Sequence, residues 1–353
     1  MTDLVKLRRK LRDAGLDAAV ILSGVNRRYV TGFPSTAGMA VVTENSLEFY
    51  TDARYFEAAE KAIPGARVRC VKTSGDYEKF ACQALVGCAA VGMEETTLSY
   101  AAYTRYDKAF EGRVRPLGEL IMNLRAEKTP EELERIVNAQ RIAEKALEET
   151  LPLIRPGITE REIAAELTGR MLKMGAEKTS FDPIVISGSG TSVPHGATSD
   201  NAVKKGDFLL MDFGARYMGY CSDMTRTVCI GEPTDEMRHV YNIVLSAQLA
   251  GIEKAAAGVP GKDIHNAAHQ VISDAGYGEF FTHNFSHGLG LEIHEAPRMS
   301  LQSEEGIPAG AVISAEPGIY LPGKFGVRIE DVLVLGENGC RNITNLPKEL
   351  IVL

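Results

Sequence analysis

The sequence predicts an α+β protein with a small α/β domain followed by a larger domain of helices packed on antiparallel sheet. Short apolar strands alternate with amphipathic helices over residues 1–120, which is typical of an α/β domain. A strong helix start then follows at Thr129, and from Phe181 onward strands and hairpins lie between long helices. These three observations indicate two domains with different arrangements of strand and helix.

The boundary between the domains is predicted just before this helix start. Thr129 is a suitable cap, Pro130 fits the first helical position, and Glu132 completes a capping box. We therefore assign residues 1–123 to the first domain and residues 124–353 to the second.

Composition excludes several classes of protein. The chain has 353 residues with 39 basic and 47 acidic side chains, which gives a net charge of −8. An acidic chain without a basic run is a poor partner for nucleic acid or for an anionic membrane. No apolar run approaches the roughly 20 residues of a membrane span, and the start of the chain lacks a signal-peptide core. The six cysteines show no framework spacing, which predicts free thiols and a cytoplasmic location.

Two carboxylates, Asp212 and Asp223, lie in apolar strands on either side of a turn at residues 217–219. In a tight hairpin these two positions would face each other with Cβ atoms about 5 Å apart, unless a bulge shifts the register. Facing carboxylates repel each other unless a cation lies between them. The alternative is an exposed hairpin with both groups solvated, against which the apolar residues 209–211 argue.

A second hairpin repeats this construction. Glu316 and Glu330 face each other across a turn centred on Gly323, and period-2 alternation places Arg328 on the same sheet face as Glu330. One hairpin with paired acids is weak evidence, whereas two in one domain favour a cation-binding site.

Histidines are concentrated in one segment. His283, His287 and His294 fall within twelve residues, although the whole chain has only seven histidines. A fourth, His195, lies in the turn-like segment V-P-H-G. Any one histidine is more often structural than catalytic. The evidence for a functional site is therefore that several histidines occur close together in one segment.

His265 and His269 are four residues apart on a predicted helix, which is the spacing of a zinc-binding pair. The segment lacks the glutamate that the H-E-x-x-H motif uses as a base. We interpret both histidines as helix-surface residues.

Together these residues resemble the metallopeptidases with the pita-bread fold, family M24, which includes prolidase, aminopeptidase P and methionine aminopeptidase. The matching segments are M-D-F-G, Y-C-S-D-M-T-R-T, H-G-L-G-L-E-I-H-E-A-P, A-E-P-G-I-Y and G-V-R-I-E-D. The amino-terminal half, with N-R-R-Y-V-T-G-F and T-D-A-R-Y, is similar to the creatinase-like small domain of the prolidase and aminopeptidase P branch. At Phe285-Ser286 the chain departs from the small residue and glycine that relatives usually carry there.

The resemblance implies two divalent metal ions per subunit, with Mn²⁺ or Co²⁺ preferred and Fe²⁺ or Zn²⁺ as alternatives. Four carboxylates contribute a charge of −4 that two divalent ions neutralise, and an oxygen-rich set with one imidazole suits such ions. Paired metals lower the pKa of water and polarise a carbonyl group. The implied ligands are Asp212, Asp223, His287, Glu316 and Glu330.

The resemblance also implies roles for side chains around the metals. Glu316 would be the acid and base that handles the proton of water. His195 and His294 would stabilise the tetrahedral intermediate and position the substrate. His283 and Arg328 would complete the catalytic set by orienting the ligands.

Two further residues are candidates for substrate binding. Arg298 lies four residues after His294, and its guanidinium could hold the carboxylate of a dipeptide through two hydrogen bonds. Tyr320 ends the A-E-P-G-I-Y segment.

We therefore expect a dimetal exopeptidase that hydrolyses the Xaa-Pro bond of dipeptides, as prolidase does. The alternative is an aminopeptidase P that acts on longer peptides. A creatinase-type amidinohydrolase and an inactive binding module are more remote, because both would tolerate loss of the ligand set. Relatives form homodimers in which the small domain of one subunit lies near the active site of the other, and residues 26–36 resemble that region.

Overall fold

The structure, a computed structural model, describes residues 4–299, 301–302 and 304–353. Residues 1–3 of the first predicted domain, and residues 300 and 303 of the second, lie outside this description. The chain divides into two compact units, one ending at Arg125 and the next beginning at Ala126. No helix within the described ranges is long and apolar enough to cross a membrane.

The first unit contains a mixed sheet with the strand order β4-β3-β2-β1-β5-β6. Its strands are β1 Ala18–Ile21, β2 Met39–Thr43, β3 Leu47–Asp52, β4 Arg67–Val71, β5 Val91–Met93 and β6 Val114–Pro116. Its helices are α1 Leu4–Asp13, α2 Gly24–Thr31, α3 Phe56–Ala62, α4 Gly75–Ala84, α5 Tyr100–Ala109 and α6 Leu120–Ala126. Strands β1 to β3 pair antiparallel, whereas β3–β4, β1–β5 and β5–β6 pair parallel.

Each face of this sheet carries a hydrophobic core. Phe49 and Tyr50 are successive residues of β3, so their side chains point to opposite faces. Phe49 packs in one buried cluster with Leu7, and Tyr50 packs in the other with Phe110. This arrangement confirms the predicted α/β character of the first unit.

The second unit contains four long helices within its described residues, and short sheets between them. The helices are α7 Pro130–Thr150, α8 Glu160–Lys173, α9 Asp235–Lys254 and α10 Gly261–Asp274. The strands are β7 Lys178–Thr179, β8 Ile184–Ser187, β9 Phe208–Phe213, β10 Ala215–Tyr217, β11 Tyr220–Cys221, β12 Met224–Cys229, β13 Val312–Ala315, β14 Gly318–Leu321, β15 Phe325–Arg328, β16 Asp331–Gly336 and β17 Gly339–Asn342. The predicted capping box at Thr129 and Glu132 is present, with both reciprocal hydrogen bonds.

Two hydrophobic cores cover the sheets of this unit. Helices α7 and α8 pack on β8, β9 and β12 around Leu147, Leu167 and Met211. Helices α9 and α10 pack on β13 to β16 around Val244 and Ile264. The predicted α+β class is confirmed, and the acid-bearing strands lie between these two layers of helices.

Candidate metal centre

The first acid-bearing hairpin keeps its predicted strands but not its predicted register. Asp212 lies opposite Thr225, so the expected facing of Asp212 and Asp223 is wrong by two residues. The loop is centred on Met218 and Gly219, whose φ angles of 46° and 91° match the pattern of a type I′ turn. Because side chains alternate with a period of two, a shift of two residues leaves every side chain on its predicted face.

The second hairpin has the predicted register. Gly318 pairs with Arg328, and Ala315 pairs with Asp331. Both pairs have the same register, so Glu316 and Glu330, which lie between them, are opposite each other. The turn contains Gly323 with a φ of 74°, a left-handed conformation that favours glycine.

Thr225 joins the two hairpins. Its carbonyl oxygen accepts a 3.1 Å hydrogen bond from the backbone N–H of Glu330, and its hydroxyl donates to Glu330 Oε2 at 2.7 Å. The same hydroxyl accepts a 3.1 Å hydrogen bond from Arg328 Nε. Thr225 is not named in the sequence analysis. The available signal was its position two residues after Asp223, which places both side chains on the same face of a strand.

The imidazole of His287 is held with one nitrogen toward the acids. Its Nδ1 lies 3.2 Å from the carbonyl oxygen of Gly288, so Nε2 faces Asp223 Oδ2 and Glu316 Oε1, each at 3.3 Å. Ser314 Oγ accepts from the backbone N–H of His287 and donates to Glu316 Oε1, both at 3.0 Å. The backbone and Ser314 therefore fix the position of both side chains.

The carboxylates of this cluster are buried, which changes their acidity. Burial raises the pKa of Asp212 to about 7 even though Arg328 opposes the shift. Burial also raises the pKa values of Asp223 and Glu330, and neighbouring acids add to both shifts. Burial lowers the pKa of His287, but Asp223 and Glu316 outweigh it and bring the value to about 9. The crowded negative charge is therefore relieved by taking up positive charge, either as protons or as a metal ion.

The donor atoms fit a divalent cation. Asp223, His287 and Glu330 offer ligand atoms that all lie within 4.8 Å of one another. Asp223 Oδ1 and Glu330 Oε1 are buried and have no hydrogen-bond partner among the described residues. A buried carboxylate oxygen without a partner is costly, and a cation supplies the missing interaction. The mixture of carboxylate oxygen and imidazole suits a divalent metal ion.

A cavity of about 380 Å³ opens onto this cluster. The predicted site residues that line it are Asp212, Asp223, His287, Glu316, Glu330, His195, His283, His294 and Arg328. His195 and His294 are exposed, whereas Asp223, Glu330 and Arg328 are buried.

Tyr320 and Arg298 are the two predicted substrate-binding residues that are not part of the cavity lining. Tyr320 is buried, and its hydroxyl donates to His283 Nε2 and accepts from Arg328 Nη1, both at 2.9 Å. Arg328 Nη2 in turn lies 2.5 Å from Asp212 Oδ2. Tyr320 therefore orients both His283 and Arg328 although it does not line the cavity itself. Arg298 is exposed, and its role as a carboxylate anchor stays a prediction.

The departure at Phe285-Ser286 has a packing partner on helix α9. The Phe285 ring fills the space beside Gly251 of α9, where an added Cβ would lie 2.2 Å from the ring. The backbone N–H of Phe285 donates to His265 Nδ1 at 3.1 Å. His265 is only 8% exposed and stacks on Phe281, so its interpretation as a surface residue is wrong. Ser286 is buried and lines the cavity, and its hydroxyl has no hydrogen-bond partner within the described ranges.

Both units match models of known protein families. The second unit matches the Metallopeptidase family M24 over residues 134–337, and the first matches the Creatinase/Prolidase N-terminal domain over residues 4–126. These matches and the acidic cavity define a metal-dependent hydrolase of peptide bonds. The chain belongs to metallopeptidase family M24, and the predicted pita-bread fold with a creatinase-like first domain is confirmed.

Several relatives are similar over nearly their whole length. The Xaa-Pro dipeptidase of Pyrococcus furiosus is 37% identical over 99% of both chains. The structure of the Xaa-Pro dipeptidase from Bacillus anthracis is 39% identical, with a TM-score of 0.95 over 99% of each chain. The X-Pro aminopeptidase from Thermotoga maritima is 40% identical, with a TM-score of 0.92 over 98% of this chain and 100% of that one.

Proposed function

We propose that the chain is an Xaa-Pro dipeptidase that depends on divalent metal ions. The observation that carries the proposal is the convergence of four carboxylates and the imidazole of His287 on a single cavity, in a chain with relatives named Xaa-Pro dipeptidase. The cavity volume of about 380 Å³ is within the range of about 300–1,000 Å³ that is typical of small-molecule sites.

We propose that the five residues named as implied ligands in the sequence analysis bind the metal ions. Asp223, His287 and Glu330 form the compact part of the cluster, and Asp212 and Glu316 lie on the same cavity. We propose two divalent ions, with Mn²⁺ or Co²⁺ preferred over Fe²⁺ or Zn²⁺. When bound, such ions would lower the pKa of water and polarise the scissile carbonyl group.

The remaining cavity residues have distinct tasks in this proposal. Glu316 would accept and return the proton of the attacking water, and the contacts of its Oε1 with Ser314 and His287 hold the carboxylate in place. His195 and His294 are exposed at the cavity and would donate hydrogen bonds to the substrate. Arg328 would hold Asp212, and His283 would be oriented by Tyr320.

A second candidate function is that of an Xaa-Pro aminopeptidase. The solved relative from Thermotoga maritima carries that name and is 40% identical to this chain. The two activities differ in whether the enzyme needs a free carboxylate directly after the proline.

A substrate panel tests both candidates. The purified protein would be loaded with Mn²⁺ or Co²⁺ and assayed on Xaa-Pro dipeptides, Xaa-Pro-Xaa tripeptides and Xaa-Ala dipeptides. We expect the highest kcat/KM on Xaa-Pro dipeptides and very low rates on Xaa-Ala. A clear preference for tripeptides would favour the aminopeptidase, and hydrolysis of neither Xaa-Pro substrate would contradict both functions.

The proposal extends to organisation and location. We propose a homodimer, as the family resemblance implies, and light scattering should give about twice the monomer mass of 38.3 kDa.

We also propose that residues 1–123 and 124–353 are the two domains, which the two compact units support. A cytoplasmic location is supported by the six unpaired cysteines, all of which lie in described segments.

A further inference from the structure

We propose that the buried ion pair between Lys128 and Glu295 positions His294 at the cavity. This inference rests on the proposed function, in which His294 contacts the substrate. Glu295 directly follows His294, and Lys128 directly precedes the cap of α7. The pair therefore connects the segment that carries His294 to the start of a long helix in the same unit.

The ion pair is enclosed. Lys128 Nζ lies 3.1 Å from Glu295 Oε1, and the two side chains are only 1% and 3% exposed. A buried ion pair contributes little net stability relative to an apolar pair of the same size, because both charges lose their hydration. The pair does, however, restrict where the two side chains can lie, because separating them would leave both charges buried and unpaired, and this restriction suits a positioning role.

Two glycines allow the close approach of Glu295. A Cβ at Gly290 would lie 2.2 Å from Glu295 Oε1 and 3.0 Å from Lys128 Cε. A Cβ at Gly288 would lie 2.6 Å from the backbone oxygen of Glu295. Gly290 thus makes room for the ion pair itself, and Gly288 makes room for the backbone that carries Glu295.

Hydrogen bonds close the segment into a compact loop. The backbone N–H of Glu295 donates to the carbonyl oxygen of Gly288, and that of Gly290 donates to the carbonyl oxygen of Glu292, both at 2.9 Å. The backbone N–H of Glu292 donates to Glu295 Oε2 at 3.1 Å. Glu295 therefore uses one carboxylate oxygen for the loop and the other for Lys128.

Lys128 is itself anchored through its backbone. Its N–H donates to the carbonyl oxygen of Gly310 at 3.1 Å, just before β13 begins. The backbone N–H of Leu289 donates to the carbonyl oxygen of Val312 in β13 at 3.1 Å. Lys128 and the loop that carries Glu295 are thus both tied to the segment 310–312.

His294 depends on this loop for its position. Its side chain is exposed, and its ring centre lies 4.4 Å from that of His287, with the two rings at 80°. An exposed side chain is held mainly by the backbone that carries it. Loosening the loop would therefore displace the His294 imidazole relative to His287.

The test neutralises both partners together, as Lys128→Met with Glu295→Gln. Removing one charge alone would leave the other buried and unpaired, which risks unfolding, whereas the double change keeps both volumes and the acceptor for Glu292. We expect kcat on an Xaa-Pro dipeptide to fall about 10- to 100-fold, as small displacements of a positioning group do. In a His294→Ala background, the same double change should alter kcat less than about twofold.

A matched control makes the same two substitutions on an exposed pair, as Lys145→Met with Glu148→Gln. In that pair Lys145 Nζ lies 3.3 Å from Glu148 Oε2, and the two side chains are 57% and 51% exposed. Neutralising it should leave kcat unchanged. Equal losses in the wild-type and His294→Ala backgrounds would overturn the positioning role, and so would no loss in either.

A second measurement does not depend on activity. Amide hydrogen exchange of the peptide that covers residues 288–297 should accelerate in the neutral-pair variant and stay unchanged in the control. If the wild-type protein hydrolyses no Xaa-Pro peptide, the proposed function fails, while the exchange rates still decide whether the pair holds the loop. Unchanged exchange in the neutral-pair variant would overturn the inference.

Discussion

The hydroxyl of Thr225 donates a 2.7 Å hydrogen bond to Glu330 Oε2, across 105 residues of sequence. Because Thr225 also lies opposite Asp212, this contact is one of three hydrogen bonds through which Thr225 joins the two acid-bearing hairpins. Glu330 Oε1 has no hydrogen-bond partner in the described part of the chain. One oxygen of Glu330 is thus used for orientation while the other is available to a cation.

Replacing Thr225 with valine should weaken metal binding. Thr225→Val keeps the shape of the side chain but removes the hydrogen bond that orients Glu330, so we expect an affinity loss of about tenfold. Calorimetric titration of the metal-free protein with Mn²⁺ measures it. Thr104→Val, on the exposed side of α5, is the control. Equal affinities for Thr225→Val and wild type would show that Glu330 needs no such support.

Asp223→Asn should empty the metal centre. The change preserves shape but removes one of the buried charges around His287, and it leaves an amide where a carboxylate oxygen had no partner. We expect activity to fall by orders of magnitude together with metal content measured by mass spectrometry. Asp200→Asn, an exposed carboxylate, should change neither. Normal turnover with a full complement of metal would refute the assignment of Asp223 as a ligand.

Glu316→Gln should act on kcat rather than on KM. A proton-transfer role is expressed in the transition state, so we expect kcat to fall about 10²- to 10⁴-fold with a much smaller change in KM. Steady-state kinetics at saturating metal separate the two parameters. A change confined to KM would assign the proton transfer to another residue.

Arg298→Ala should distinguish dipeptides from longer peptides. If Arg298 holds the substrate carboxylate, kcat/KM for Xaa-Pro dipeptides should fall by roughly 30- to 150-fold while Xaa-Pro-Xaa tripeptides are spared. Arg341→Ala, at another exposed arginine, is the control. Equal effects on both substrates, or none, would remove Arg298 as an anchor and favour the aminopeptidase.

His265 should make the stability of the protein depend on pH. Burial, followed by the charges of His269 and His283, lowers the pKa of His265 to about 4 from its ordinary 6.5. Between these values the unfolded chain binds a proton that the folded protein does not, so this contribution to stability is complete above pH 6.5 and is lost as the pH falls toward 4.

His265→Gln should remove this dependence, because an amide oxygen can still accept from the Phe285 backbone without titrating. From pH 7 to 4.5 the wild type should lose about 2–3 kcal/mol more unfolding free energy than the variant, measured by urea denaturation. His239→Gln, at an exposed histidine, should behave as wild type. Parallel curves for wild type and His265→Gln would contradict the assignment.

The two hairpins show how far local sequence defines a register. Gly323 marks its turn unambiguously, and the predicted register around it is confirmed. The other turn places Met218, a residue type that rarely adopts positive φ, next to Gly219. The centre of that turn could not be predicted to the residue, so the facing of Asp212 and Asp223 was predicted two residues out of register.

Helix α2 was not predicted, because what stabilises it lies far along the chain. Its segment begins with a glycine and has few apolar residues, although Ser23 caps it. The side chain of Asn26 is buried and donates to Glu94 Oε1 at 2.7 Å. That hydrogen bond compensates the Asn26 side chain for the loss of water on burial. The polar residues of this segment by themselves would predict an exposed position.

The sequence by itself determined the residue types of the candidate metal centre, the strand faces that carry them and the start of α7, because alternation, turn glycines and caps act within a few residues. Tertiary structure alone decided that Thr225 orients Glu330, that His265 is buried and accepts from the Phe285 backbone, and that Lys128 meets Glu295 in the interior. Each of these contacts joins separate elements of the fold. Local pattern carries no information about them, since they exist only once the cores have packed and excluded water.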